Sequence, residues 1–191
     1  MNSYTRLIGA LSIVVPFMML MFSAPIAAQQ NVRATLFEDA NNALNAARSI
    51  QAEALGPKNF SKAIEYYRHA EKDYEKGKNL ESIRQDLIAC VSHCKLSVAA
   101  ATVAKTTLPH AIKARSDALK ADAATFAPKN WTDAEEKFID ATRDLEAGRI
   151  AGAKKRAGDA EVMFRNAELI AIKESSLRDT WALLKQADKK M

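Results

Sequence analysis

Apolar residues recur at helical intervals along nearly the whole of this 191-residue chain. In residues 57–77 the bulky ones fall every seventh position, at Phe60, Tyr67 and Tyr74, with Ala63 and Ala70 between them. Residues 128–148 repeat the arrangement, with Trp131, Phe138 and Leu145 around Ala134 and Ala141. Seven residues is about two helical turns, so each set lies on one helix face on which bulky and small side chains alternate. No window shows the period-two alternation and β-branched enrichment of a strand. Breakers are few after residue 36: Gly56 with Pro57, Gly77, Pro109, Pro128, Gly148, Gly152 and Gly158. Between them Ala, Leu, Glu, Lys and Arg dominate, and these are strong helix formers. The pattern predicts an all-α protein.

The stretch "GPKNF" at Gly56 returns as "APKNW" at Ala127, 71 residues later. Aligned from that turn, nine of 21 positions are identical: Pro57, Lys58, Asn59, Ala63, Glu65, Ala70, Asp73, Glu75 and Gly77 match their partners. A duplicated unit accounts for this. Each copy predicts a helix that starts at the Pro-Lys-Asn turn and stops at Gly77 or Gly148; in the second, Asn130 or Thr132 would cap the start, with Glu135 completing a capping box. A third helix follows through Leu80, Ile83, Leu87, Cys90, Cys94 and Ser97, and a shift of 70 maps these onto Ile150, Ala153, Ala157, Ala160, Phe164 and Ala167. A leading helix precedes each turn, over 35–55 and 109–126, with Pro109 suited to a first helical position. The expectation is two tandem three-helix units, residues 29–106 and 107–175, closed by a capping helix over 176–191 with Leu177, Trp181, Leu184 and Ala187 on one face. Such an array would form an elongated helical bundle or short solenoid.

The first 28 residues read as an export signal: Arg6 is the sole charge, residues 7–22 are apolar, and Ala24, Ala27 and Ala28 supply a small-residue cut site. Cleavage after Ala28 would leave a periplasmic or secreted chain starting at Gln29. The alternative is an uncleaved anchor over residues 7–28, since a membrane span needs roughly 20 apolar residues. The two cysteines, Cys90 and Cys94, lie far from the cut, so no lipid-anchor signal is expected.

Removing Arg6 from the 28 Lys and Arg leaves 27 against 23 Asp and Glu, a net charge of +4. The signs are interleaved, as in "RHAEKDYEKGK", which dresses a solvated helix face rather than a phosphate-binding stripe. Nucleic acid is therefore not an expected partner, and nothing points to a small-molecule substrate.

One cluster invites a chemical reading. In "CVSHC", Cys90 and Cys94 stand one helical turn apart, roughly 6 Å between Cα atoms and near the limit for a disulfide, and His93 lies beside them. Zinc normally takes four ligands, and the spacing matches neither paired zinc knuckles nor haem attachment. Three readings stand: core residues, because Cys90 and Cys94 align with Ala160 and Phe164; an intrahelical disulfide in an oxidising compartment; or a metal-binding or thiol-redox module at Cys90, His93 and Cys94. His69 sits among charges, and His110 at a helix start lacks an acidic or nucleophilic partner. No nucleophile elbow or Gly-rich phosphate loop occurs, so no enzyme activity, catalytic residue or cofactor is expected.

The second unit resembles a family of uncharacterised, Ala-rich helical modules of the bacterial cell envelope. Ala127, Pro128, Trp131, Ala134, Ala141, Gly148, Ala153, Ala157 and Ala160 carry the likeness; the first unit has Gly56 in place of the alanine. Modules of that kind often follow a signal or lipoprotein peptide and often precede an OmpA-like domain that binds peptidoglycan. A looser likeness to tetratricopeptide arrays implies peptide binding in a groove, an analogy of fold alone. The expected function is a non-enzymatic envelope scaffold or adaptor whose partner is another envelope protein.

Overall fold

The computed structural model describes residues 24–188, with side chains from residue 32 onward. The leader expected over residues 1–28 lies outside the described residues, apart from the helical backbone of its last five. Eight helices, and no strand among the described residues, make the chain all-α: α1 (Ala24–Ser49), α2 (Ala52–Leu55), α3 (Pro57–Glu75), α4 (Leu80–Thr107), α5 (Pro109–Lys120), α6 (Ala123–Phe126), α7 (Pro128–Glu146) and α8 (Ile150–Asp188).

Contacts divide the chain into two compact units, Met1–Glu38 and Asp39–Met191. In the first, the Arg33 guanidinium lies 5.2 Å from the centre of the Phe37 ring. The second contains the helices that follow. There α3 packs along α4, and α7 along α8, which α5 and α6 also contact.

Small side chains set these pairings. Ala63, Ala70, Ala134, Ala141, Ala153, Ala160, Ala167 and Ala171 are all fully buried, which lets backbones approach closely, while Phe138 and Phe164 fill the space between α7 and α8. Their rings meet edge to face at 6.0 Å, and Trp131 leans on Phe164 at 5.4 Å. Each buried phenylalanine contributes about 1.5–3 kcal/mol through removal from water, and the ring pairs add about 0.5–1.5 kcal/mol. In α4, Ile83, Leu87, Cys90, Cys94 and Ser97 form the matching stripe, whereas Leu80 is exposed. By length and composition α4 is apolar enough to cross a bilayer, and Ile88, Leu96 and Val103 on it are exposed.

Backbone conformations recur 71 residues apart. Gly77 and Gly148 both take the left-handed region, at φ 63° and 74°. Each closes a Schellman turn: Gly77 N–H donates to Tyr74 O and Lys78 N–H to Asp73 O, while Gly148 N–H donates to Leu145 O and Arg149 N–H to Asp144 O. Gln51 and Asp122 are left-handed as well, at φ 62° and 57°.

Those last two residues correct the expected helices. The leading helices do not run unbroken over 35–55 and 109–126; each is interrupted at the left-handed residue, and a four-residue helix follows. Burial of Ala52, Ala54 and Leu55, and of Ala123 in the second case, offsets the conformational cost. Helix α7 begins at Pro128 behind Ala127, with no side-chain cap, so neither Asn130 nor Thr132 plays the part expected of it. The segment expected as a separate helix over 176–191 is, as far as Asp188, the end of the 39-residue α8.

These turns make a prediction of opposite signs. Gly148→Ala forces a side chain into a left-handed conformation and lowers stability by about 1–2 kcal/mol. Gly158→Ala fills a helical position where an added Cβ meets nothing within 4 Å, and raises it by about 0.5–1 kcal/mol. Urea unfolding of the two variants tests this, and shifts of the same sign contradict it.

Candidate functional site

The best-connected polar site lies where the end of α7 meets the start of α3. A helix that begins at Pro57 leaves its first backbone N–H groups without intrahelical acceptors, and Gly56 offers no side chain to cap them. A glycine is nonetheless required at that position. A Cβ on Gly56 would lie 2.6 Å from the Ser97 carbonyl oxygen and 3.1 Å from the Ala100 Cβ, so α4 leaves room for hydrogen only.

Glu146, the last residue of α7, supplies the missing acceptor. Its carboxylate accepts from Lys58 N–H at 2.7 Å, from Asn59 N–H at 3.1 Å and from the Asn59 Nδ2 amide at 2.8 Å. A carboxylate on a helix N-terminus gains from charge-assisted bonding and from the helix dipole. The same contact fixes the orientation of Asn59: Nδ2 faces the acceptor-only carboxylate, so Oδ1 faces His93. His93 Nδ1, 3.2 Å away, must then donate. The His93 ring also stacks on Tyr66, at 5.5 Å and 12°.

Beside Glu146 on the same turn, Asp144 is 4% exposed yet compensated. Arg149 donates to its Oδ1 through Nε at 2.9 Å and Nη2 at 2.6 Å, and Arg156 approaches Oδ2 at 3.1 Å. At the matching position the Lys78 ammonium, 2.8 Å away, holds the Asp73 carboxyl below its ordinary range. Farther along the bundle Arg115 forks onto Glu135, with Nη2 to Oε2 at 3.0 Å, and lies over the Trp131 and Phe138 rings. On the surface, the Lys113 and Arg165 cations together lower the Asp117 carboxyl to about 2.

The cysteine cluster is divided between two environments. Cys90 and Cys94 are free thiols, both buried in the face of α4. The hydrogen bond to Cys94 and burial push the Cys90 thiol up. His93 lies apart from them, with its Nδ1 engaged by Asn59. Among the described residues no group of three His, Cys, Asp or Glu side chains could hold a metal ion. His69 and His110 are both exposed.

Periodicity alone did not point to the Glu146 junction, yet the repeat held a signal. Of the nine identities, the proline, alanines and glycine serve packing or turn geometry. Lys58, Asn59, Glu65, Asp73 and Glu75 are polar residues that no core needs. Their matches include Glu146 itself.

Comparisons of the chain with family models, with curated proteins and with solved structures find no match.

Burial decides how the thiols react. In the native protein neither Cys90 nor Cys94 is alkylated on the timescale on which the urea-unfolded chain is fully labelled, because reaction waits for opening of α4. Mass spectrometry of timed iodoacetamide reactions reads this directly. Prompt labelling of either cysteine in the native state contradicts it.

Proposed function

We propose that this chain is a non-enzymatic, exported helical-repeat protein, built from two tandem units, that serves as a periplasmic or cell-envelope scaffold or adaptor binding another protein through a helix face. The observation that carries the reading is the uncovered end of α8, exposed on every side over residues 176–188. Leu177, Trp181 and Leu184 stand at i, i+4 and i+7, at 55%, 64% and 51% exposure. A tryptophan flanked by leucines at this spacing is the form in which an amphipathic helix presents anchors to a protein groove. Tryptophan is also the residue that most often dominates such interfaces.

Other features support the same reading. The recurrence of the Schellman turns and of the left-handed residues at 71-residue spacing favours a duplicated packing unit, and a chain made of packing units performs its work on its surfaces. The small-residue cut site after a short apolar run favours export, and the resemblance to Ala-rich envelope modules points to the same compartment. Interleaved charges leave the polar faces solvated and favour a protein partner over nucleic acid.

The test is site-specific photo-crosslinking in the cell of origin, with the photoreactive residue at position 184 and the captured protein identified by mass spectrometry. Truncating an anchoring tryptophan costs about 2 kcal/mol or more, so Trp181→Ala should lower the capture of one reproducible partner by more than about tenfold. Capture that ignores Trp181 contradicts the docking face. Recovered protein that starts at Gln29 supports export with cleavage, whereas persistence of residues 7–28 contradicts it in favour of a tether.

A further inference from the structure

The turn that Glu146 closes is present twice, and among the described residues one copy is filled and the other is not. Helix α7 begins as α3 does: Ala127 (φ −137°, ψ 52°) repeats the backbone of Gly56 (φ −142°, ψ 52°), Pro128 stands at the first helical position, and Lys129 and Asn130 follow. The first N–H groups of α7 likewise have no intrahelical acceptor, and Ala127 offers no cap. Pro57 is buried beneath the end of α7, whereas Pro128 is exposed. At the other end of the repeat Glu75, the last residue of α3, matches Glu146 and is exposed. Among the described residues, the same three residues, Pro-Lys-Asn, thus hold a carboxylate at 57–59 and stand open at 128–130, while the equivalent carboxylate at 75 is unused.

The surroundings match as well. The groove at the filled junction is lined by Pro57, Lys58 and Ser61 on one side and Arg143, Ala147 and Arg149 on the other. The open surfaces offer Pro128, Lys129 and Thr132 against Lys72, Lys76 and Lys78. Five of the six positions are identical or keep their chemistry; only alanine against Lys76 differs.

We propose that a second copy of this chain is the ligand of the open turn: the Glu75 carboxylate at the end of α3 in one copy accepts from the Lys129 and Asn130 N–H groups at the start of α7 in the next, which repeats the internal junction between molecules. The two faces of this contact differ, so it is head to tail and leaves a donor face and an acceptor face at the ends. It rests on the scaffold reading and names one partner for it. The covalent connection through α4 and α5 that holds the internal junction is missing between copies, so association is weak and concentration-dependent.

Sedimentation velocity on protein purified from cells expressing the full chain, over a concentration series to about 1 mM, tests the proposal. Native protein associates, and Glu75→Lys sediments as a monomer. Glu65→Lys, an exposed change on the same helix, associates as the native protein does. Asn130→Glu places a negative charge at the open turn and is monomeric alone. Mixed with Glu75→Lys, which keeps an intact turn, it associates again through its own Glu75. Circular dichroism confirms that each variant is folded. A native protein that stays monomeric throughout, a Glu75→Lys variant that associates like the native one, or a mixture that fails to pair overturns the proposal. If that happens while Trp181-dependent capture persists, the scaffold reading survives and only self-docking is lost.

Discussion

A helix that begins with proline after glycine needs an acceptor from elsewhere, and in this protein the acceptor comes from 87 residues away. Glu146 closes the start of α3 because α4 presses so closely on the preceding turn that no side chain fits at residue 56. The usual local solution, a Ser, Thr, Asp or Asn at the N-cap, is worth about 1 kcal/mol and is excluded there by the Ser97 carbonyl. Closing the helix with a distant carboxylate satisfies the same N–H groups and ties α7 to α3. It also sets Asn59, and through Asn59 the ring of His93. One steric constraint thereby orders a chain of polar contacts across the junction.

The remaining architecture follows from alanine. Helices α3 against α4, and α7 against α8, meet through faces on which alanines are wholly buried and aromatics fill the gaps. Close backbone approach is what makes residue 56 crowded in the first place, so the polar junction is a consequence of the small-residue packing. Where the second turn is less crowded, Ala127 replaces Gly56. The exposed side chains at the end of α8 lie outside this scheme, since packing within the described residues leaves Leu177, Trp181 and Leu184 uncovered.

Much of the fold was legible in the sequence because its signals are local. The seven-residue spacing of Trp131 and Phe138 around Ala134 and Ala141 marked the α7 face, and Gly77 and Gly148 marked the helix ends through their left-handed backbone. The alignment of Cys90 and Cys94 with Ala160 and Phe164 placed the cysteines in the core, where they lie. Three features escaped. Gln51 and Asp122 break helices without glycine or proline, because burial of the next turn overrides a modest backbone cost. Asn79 caps α4 by accepting from Glu81 N–H at 2.7 Å, a signal present in "NLES" but hidden behind the stronger Gly77 stop. The run of α8 past Ser176 to Asp188 meets no breaker at all, and the apolar stripe that suggested a cap is one face of that uninterrupted helix. The Glu146 contact was out of reach of periodicity, since no spacing rule connects residues that far apart.

Glu146 as the cap of α3 is the contact on which the junction depends, and amide hydrogen exchange in the native state measures it most directly. Lys58 and Asn59 N–H groups should be protected in the native protein and exchange about five- to thirtyfold faster in Glu146→Ala, the equivalent of a cap worth about 1–2 kcal/mol. The amides of the α7 and α8 core should keep their protection. Unchanged exchange at Lys58 and Asn59 in the variant would contradict the account at its base.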